Sequence, residues 1–442
     1  MLLTVVLSAC ILSAFFVANN LVINDNEVEA ATGANYTGNC GTKNTSTGAA
    51  VADITFTYTH GTNGSVVVKG NGKTVISKGS TSTANTFIKH ANTINAYTEL
   101  VNCSYRFENV VFSGDCSSFF TVCKKMSSVT FVNCNFAGVT TCKSMFSGLG
   151  NLTSIDMSGI SFDNCTSFEL MFYNTSIGTA NFKNVYMGKS ATCKNMFQNS
   201  VVVNAYFDGA TISNNSTSST RILSYMFNGC SYLKKATFTG ASISNVTAMD
   251  HMFNECHSLV SADFKGMDMS SCTTFADMFY NCYNMSTVTF AGASMGNGVT
   301  ASTTKEMFKL CEDLTSVSFN NTNMLSVTDM SYMFQDCYSL MYTYFDGTRL
   351  NNVTTMAYMF NNCKSLLKFE MKATSESLQA LTTMTHMFDN AVDISYFEMQ
   401  NFNLAKLSNM EYMFANTDIR NVSFYHNTFG VSFSCANMFK EC

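Results

Sequence analysis

Apolar residues recur along this chain in a frame of about 26 positions. Twelve Met-Phe dipeptides mark it, at Met145, Met171, Met196, Met226, Met252, Met278, Met307, Met333, Met359, Met387, Met413 and Met438, and most intervals are 25 or 26 residues. Phe119-Phe120 stands 26 residues before Met145 as a degenerate earlier copy. Within a copy, Leu233, Leu259, Leu314, Leu340 and Leu366 lie seven positions after the Met. Phe238, Phe264, Phe290, Phe319 and Phe345 lie twelve after, and Ala236, Ala262, Val288 and Val317 ten after. The two-residue step between these last sets is the period of a strand, as in Thr315-Ser316-Val317-Ser318-Phe319. One short strand per copy, stacked in register, predicts a parallel sheet. Ahead of the dipeptide, Val246/Met249, Cys272/Phe275, Val327/Met330 and Val353/Met356 keep three-residue steps, which predict a short helix or 3-10 turn. The expected fold class is an α/β repeat solenoid with one short parallel strand and one short helical or 3-10 turn per coil. It occupies residues 99–442 as about 12–13 coils, roughly 4.8 Å apart and about 60 Å long in all.

Residues 31–98 follow a different pattern. Ile54, Phe56 and Tyr58 alternate with Thr, then Val66-Val67-Val68 and Thr74-Val75-Ile76 flank Gly70-Asn71-Gly72, a hairpin signal. A small β-rich N-terminal cap over the first coil is expected; a separate ligand-binding module is the alternative. Residues 1–30 hold an apolar stretch, Leu2 to Ala18, followed by the small-x-small sequence Val28-Glu29-Ala30. They read as a signal peptide cleaved near Ala30, or as a retained membrane anchor, because no Lys or Arg precedes the apolar stretch. Leu7-Ser8-Ala9-Cys10 matches a lipoprotein box only loosely. The chain is therefore expected to be secreted or held at the cell surface.

Composition narrows the function. Hydrophobic residues make up 46% of the chain and charged residues only 12%, so Ser, Thr and Asn must supply the polar surface. A net charge of -5 without a Lys/Arg run excludes an electrostatic footprint for nucleic acid or for an anionic membrane. The six histidines are scattered, and no Gly-x-Ser-x-Gly, phosphate loop or His-Glu-x-x-His occurs. An enzyme, a cofactor and a metal site are not expected; Cys256-His257 is an isolated pair without the clustering that zinc requires.

Eighteen cysteines are present, and an oxidising compartment would permit disulfides. Cys230, Cys256, Cys282, Cys311, Cys337 and Cys363 share one offset in six successive copies, so stacking brings each within about 5 Å of the next, inside the Cα window for a disulfide. Two readings stand: cross-links between coils, or a ladder of inward thiols packing as small hydrophobes. Cys116, Cys142, Cys193 and Cys435 replace core residues three before the dipeptide. More than a dozen Asn-x-Ser/Thr sequons, Asn151, Asn245, Asn352 and Asn421 among them, read by default as solvated turn residues.

Met333-Phe334-Gln335-Asp336-Cys337-Tyr338-Ser339-Leu340, followed by Asn352-Val353-Thr354-Thr355-Met356, resembles the BspA-like leucine-rich-repeat surface proteins. The resemblance covers residues 119–442; the copies at Met171, Met196, Met387 and Met413 lack the Cys four residues on. It implies adhesion to a host or matrix protein or glycan.

Residues nine and eleven after each Met point away from the core and define the exposed face. Early copies place small residues there, as in Ser154/Asp156, Ser261/Asp263, Thr287/Thr289 and Ser316/Ser318. Later copies carry Tyr342/Tyr344, Lys368/Glu370 and Tyr396/Glu398, an interface-like set and the expected ligand-binding patch. Longer connections around 214–220, 296–303 and 374–381 offer a second candidate edge. The alternative to an adhesin is a structural layer or filament subunit that self-associates through its last coil, Met438-Phe439-Lys440-Glu441-Cys442.

Overall fold

A computed structural model describes residues 21–22, 36–37, 55–58, 63–76, 94–95, 100–188, 192–212, 222–296, 299–372 and 378–442. The apolar stretch Leu2 to Ala18, Val28-Glu29-Ala30, and the connecting residues 213–221, 297–298 and 373–377 lie outside them. Among the described residues, no helix is long and apolar enough to cross a membrane.

The repeat folds into a parallel β-solenoid of about 12 coils. Its strands pair in parallel in chain order: Ser154–Asp156, Thr179–Asn181, Asn204–Tyr206 and Lys235–Thr237 form one run. Ser261–Asp263, Thr287–Thr289, Ser316–Ser318 and Tyr342–Tyr344 form the next, and Lys368–Lys372, Tyr396–Gln400 and Asn421–Ser423 the last. Two further β columns stack on the other sides of the coil. One runs through Asp268, Ser294, Asn323 and Arg349, the other through Asp329, Thr355, Thr383, Asn409 and Ser434.

The expected helical turn is corrected: the solenoid has essentially no helix among the described residues. The residue before each Met and the one three after it adopt left-handed backbone, as at Tyr332 (φ 58) and Asp336 (φ 62), then Tyr358 (φ 57) and Asn362 (φ 61). A left-handed residue every fourth position interrupts any right-handed helical run before it can propagate. The segment instead makes tight turns, with Gln335 N–H donating to the Tyr332 carbonyl at 3.1 Å and Cys337 N–H to Phe334 at 3.2 Å. Its remaining N–H groups bond across coils: Phe334 donates to the Met359 carbonyl (2.9 Å), Phe360 to Met387 (2.8 Å) and Phe388 to Met413 (2.9 Å).

The Met-Phe side chains fill the axis. The Phe rings stack from Phe120 through Phe146, Phe172, Phe197, Phe227 and onward to Phe439, with centroids 4.7 Å apart at the start and 5.7 Å at the end. Phe120 also donates its N–H to the Met145 carbonyl at 2.9 Å, so Phe119-Phe120 is a structural copy of the dipeptide. Each fully buried Phe contributes about 1.5–3 kcal/mol relative to exposure.

Asn63–Ile76 lies parallel to Asn102–Asp115, and its antiparallel partner is Thr55–Tyr58. The Gly70-Asn71-Gly72 hairpin is thus corrected to a bulge. Thr74 to Ile76 continue the pairing, opposite Val110 to Phe112, after a register shift between Lys69 and Thr74 that left-handed Gly72 (φ 80) helps absorb.

Candidate functional site

The register of the strands arranges the outward side chains in rows. Ser261, Thr287, Ser316 and Tyr342 form one, and Asp263, Thr289, Ser318 and Tyr344 the next. Between Tyr342–Tyr344 and Lys368–Lys372 the strand pairing lapses. The inward positions are also filled differently on these two strands. Up to this coil a small residue and a Phe alternate, as in Val317 and Phe319; from Lys368 on, Phe369 and Met371 replace them. The Phe319 and Phe345 rings stack at 5.3 Å and 10°, whereas Phe345 meets Phe369 at 6.5 Å and 55°. The bulk moves two residues toward the start of the strand, and the two strands no longer lie in ladder register.

A cleft of about 170 Å³ opens there, lined by Tyr342, Thr343, Tyr344, Phe345, Asp346, Lys368 and Glu370. Tyr342 and Tyr344 are 37% and 44% exposed, enough for both rings to offer contact area, and their centroids lie 6.4 Å apart. Lys368 Nζ pairs with Glu370 Oε2 at 3.0 Å, an exposed pair of little stabilising value. Thr343, at an inward position where the preceding copies carry Ala or Val, has its Oγ1 buried without a partner. A second hollow of about 340 Å³ adjoins it along the face, lined by Ser261, Asp263, Thr287, Thr289, Ser316 and Ser318, with Ala262 and Val288 as floor. Tyr344 borders both.

Of the expected patch, four residues thus surround one cleft. Tyr396 and Glu398 pair in register with Lys368 and Glu370 on the next strand but do not line it. Tyr396 Oη donates to Glu398 Oε2 at 2.8 Å, and that bond, followed by desolvation and nearby negative charge, pushes the phenol above its ordinary value. Among the described residues, no group of three or more His, Cys, Asp or Glu side chains stands where it could hold a metal ion.

The six ladder cysteines are free and buried. Each thiol donates to the Phe carbonyl of the preceding coil: Cys230 to Phe197 (3.0 Å), Cys256 to Phe227 (3.2 Å), Cys282 to Phe253 (3.1 Å). Cys311, Cys337 and Cys363 repeat this with Phe279, Phe308 and Phe334 at 3.1, 3.1 and 3.0 Å. Burial raises every one of these thiols, Cys230 to about 12. Where the Cys is missing, Ser200 makes the same bond to Phe172, and Thr175 and Thr417 hydroxyls turn back to the Phe172 and Phe414 carbonyls of their own coils.

Two features escape a reading by hydrophobic pattern. Asn151 Nδ2 donates to the Val101 and Lys124 carbonyls and Asn352 Nδ2 to Leu325, so these exposed sequon amides also stitch coils together. The left-handed position before each Met also carries a half-buried aromatic stack, Tyr332–Tyr358–His386–Tyr412, at 4.9, 4.6 and 4.7 Å. The signal was there in the residue preceding each Met-Phe, a position outside both the strand and the core sets.

These features define a parallel β-solenoid repeat protein with an outward sheet face built of three runs of strands. The chain belongs to the family "Mycoplasma protein of unknown function, DUF285", whose model matches residues 104–209, 204–289 and 302–441. No curated protein matches. Among solved structures it is similar to the TLR13–ssRNA13 complex (14% identity, 80% of this chain and 53% of that chain, TM-score 0.31). It is also similar to an internalin of Listeria monocytogenes (13%, 83% and 81%, TM-score 0.27). The functional domain of InlJ from Listeria monocytogenes, which includes a cysteine ladder, matches at 12% (76% and 65%, TM-score 0.28). The chain spans about half the length of the first of these.

Proposed function

We propose that this is a non-enzymatic binding protein, secreted or held at the cell surface, that takes a protein or glycan partner on its exposed sheet face around the Tyr342/Tyr344 cleft. One observation carries the reading: the outward rows change from small hydroxyls to two exposed tyrosines at the place where the sheet opens. Tyrosine offers a large, rigid contact surface with a polar tip, which is why it concentrates at interface hot spots. The neighbouring Lys368 and Glu370 supply a polar rim of both signs. The apolar stretch Leu2 to Ala18 and the likeness of Met333 to Leu340 to the BspA-like surface proteins support an extracellular setting.

The test is a panel of immobilised matrix proteins and glycans probed with the full chain. For any partner retained, the double variant Tyr342→Ala/Tyr344→Ala is expected to lose at least about tenfold in affinity, a change of ~1.4 kcal/mol. Its Tm should stay within a few degrees of wild type, because both rings are outward. Lys368→Ala and Glu370→Ala should weaken binding less, and Tyr396→Ala and Glu398→Ala least. Undiminished affinity of the double tyrosine variant for every partner found would remove the assignment.

A further inference from the structure

We infer that the hollow running from Ser261–Asp263 to Tyr344 binds a neutral oligosaccharide laid across the strands, an inference that rests on the proposed binding role of this face and names its ligand class. Two independent observations meet there. The first is the chemistry of the lining, which presents hydroxyls from Ser261, Thr287, Thr289, Ser316 and Ser318 in two registered rows. Thr289 and Ser318 already accept the N–H groups of Ala291 and Asn320, which leaves their own protons available for donation. Hydroxyls both donate and accept, and they match a ligand whose polar groups are themselves hydroxyls.

The second observation is the wall. Tyr344 closes the hollow at one end, half exposed, and an aromatic ring beside hydroxyls gives a sugar ring an apolar surface next to hydrogen-bonding partners.

Charge argues against the other ligand classes. The hollow holds a single carboxylate, Asp263, whose Oδ1 already takes the Lys265 N–H at 2.9 Å. The lining contains no cation; Lys235 stands at the corresponding outward position one coil before Ser261, and Lys368, beyond Tyr344, is paired with Glu370. An anionic glycan would find no counter-charge within the hollow itself. A protein partner would gain little from the floor, where only Ala262 and Val288 offer apolar area.

The experiment titrates the full chain with malto-, cello- and manno-oligosaccharides and, in parallel, with sulfated oligosaccharides. At least one neutral series is expected to bind, and the sulfated series to bind no better. Tyr344→Ala and the double variant Thr287→Val/Ser316→Ala should each lower that affinity about tenfold or more. An unchanged Tm shows that both variants fold. Absence of neutral binding, or binding indifferent to the Thr287/Ser316 variant, overturns the inference. If a matrix protein is then still lost with Tyr342→Ala/Tyr344→Ala, the binding role of the face stands and only the ligand class falls; if no partner depends on the tyrosines, both fall.

Discussion

A backbone carbonyl that meets a small side-chain donor in coil after coil limits what that donor can be. The Phe carbonyls accept from thiols at Cys230 through Cys363, from the Ser200 hydroxyl, and again from a thiol at Cys442. What recurs is a compact hydrogen-bonding group, so the redox chemistry of sulfur is incidental to this position. Cys337→Ser is therefore expected to keep the bond and cost within about 1 kcal/mol, whereas Cys337→Ala removes it, leaves a small void, and should cost about 1–2 kcal/mol more in urea unfolding. Equal loss for both would show that packing alone governs the site. The thiols also set an alkaline limit. Burial raises Cys230 from 9.0 to about 12, so the folded chain keeps its proton where the unfolded chain releases it. A raised folded pKa gives stability that is complete below the unfolded value and lost as pH rises toward the folded one. Stability should fall between pH 9 and pH 12, summed over the ladder, and Cys230→Ser should flatten that fall. A Tm unchanged across this range would contradict the buried-thiol arrangement.

At the scale of the coil, the left-handed residues flanking Met-Phe explain both the turn and what its sequence concealed. Asn, Asp and Gly occupy many of these positions, as at Asn281, Asp336, Asn362 and Gly229, but Leu310 (φ 63) stands in the same place as Asp336. A leucine there bears about 1–2 kcal/mol of steric strain that Gly or Asn avoids. Leu310→Asn is expected to raise stability by about 0.5–1 kcal/mol, read as an upward shift of Tm; a fall would mean that Leu310 packing outweighs its backbone. The strand side of the coil was legible because Val317 and Phe319 leave only one period open. The turn side was not, because Val327, Met330 and Met333 keep a three-residue step that helices and stacked turns share. Only Tyr332, left-handed and polar-tipped, separates the two. The candidate site was legible in part for a similar reason. Outward Tyr342, Tyr344, Lys368 and Glu370 follow from strand alternation, but the cleft among them depends on Phe369 taking an inward place that small residues hold in earlier coils. Alternation assigns Phe369 to the core without revealing that the neighbouring strand is left unpaired with its own.

Across the whole molecule, the sheet face falls into three runs, although the axis does not. Strand pairing lapses after Lys235–Thr237 and after Tyr342–Tyr344. At the same two places the outer Phe stack loosens, to 6.4 Å between Phe238 and Phe264 and to 6.5 Å between Phe345 and Phe369. The Met-Phe stack continues through both, with Phe227–Phe253 at 5.4 Å and Phe334–Phe360 at 5.1 Å. In a solenoid each coil is held mainly by its neighbours, so stability is a sum of coil terms and interface terms. An interface missing its strand ladder lacks several hydrogen bonds of about 0.5–1.5 kcal/mol each. The two lapses should therefore be the weakest couplings along the chain. Hydrogen exchange in low urea is expected to resolve cooperative blocks that end near Thr237 and Tyr344, with amides inside each block opening together. Phe360→Ala, at a lapse, should separate the blocks further and broaden the unfolding transition. Phe308→Ala, inside the middle block, should lower stability without broadening it, because intact ladders on both sides still join its coil to its neighbours. A single global opening for all protected amides, unaffected by Phe360→Ala, would mean that the Phe axis alone couples the coils and that the open cleft beside Tyr344 costs the solenoid nothing in cooperativity.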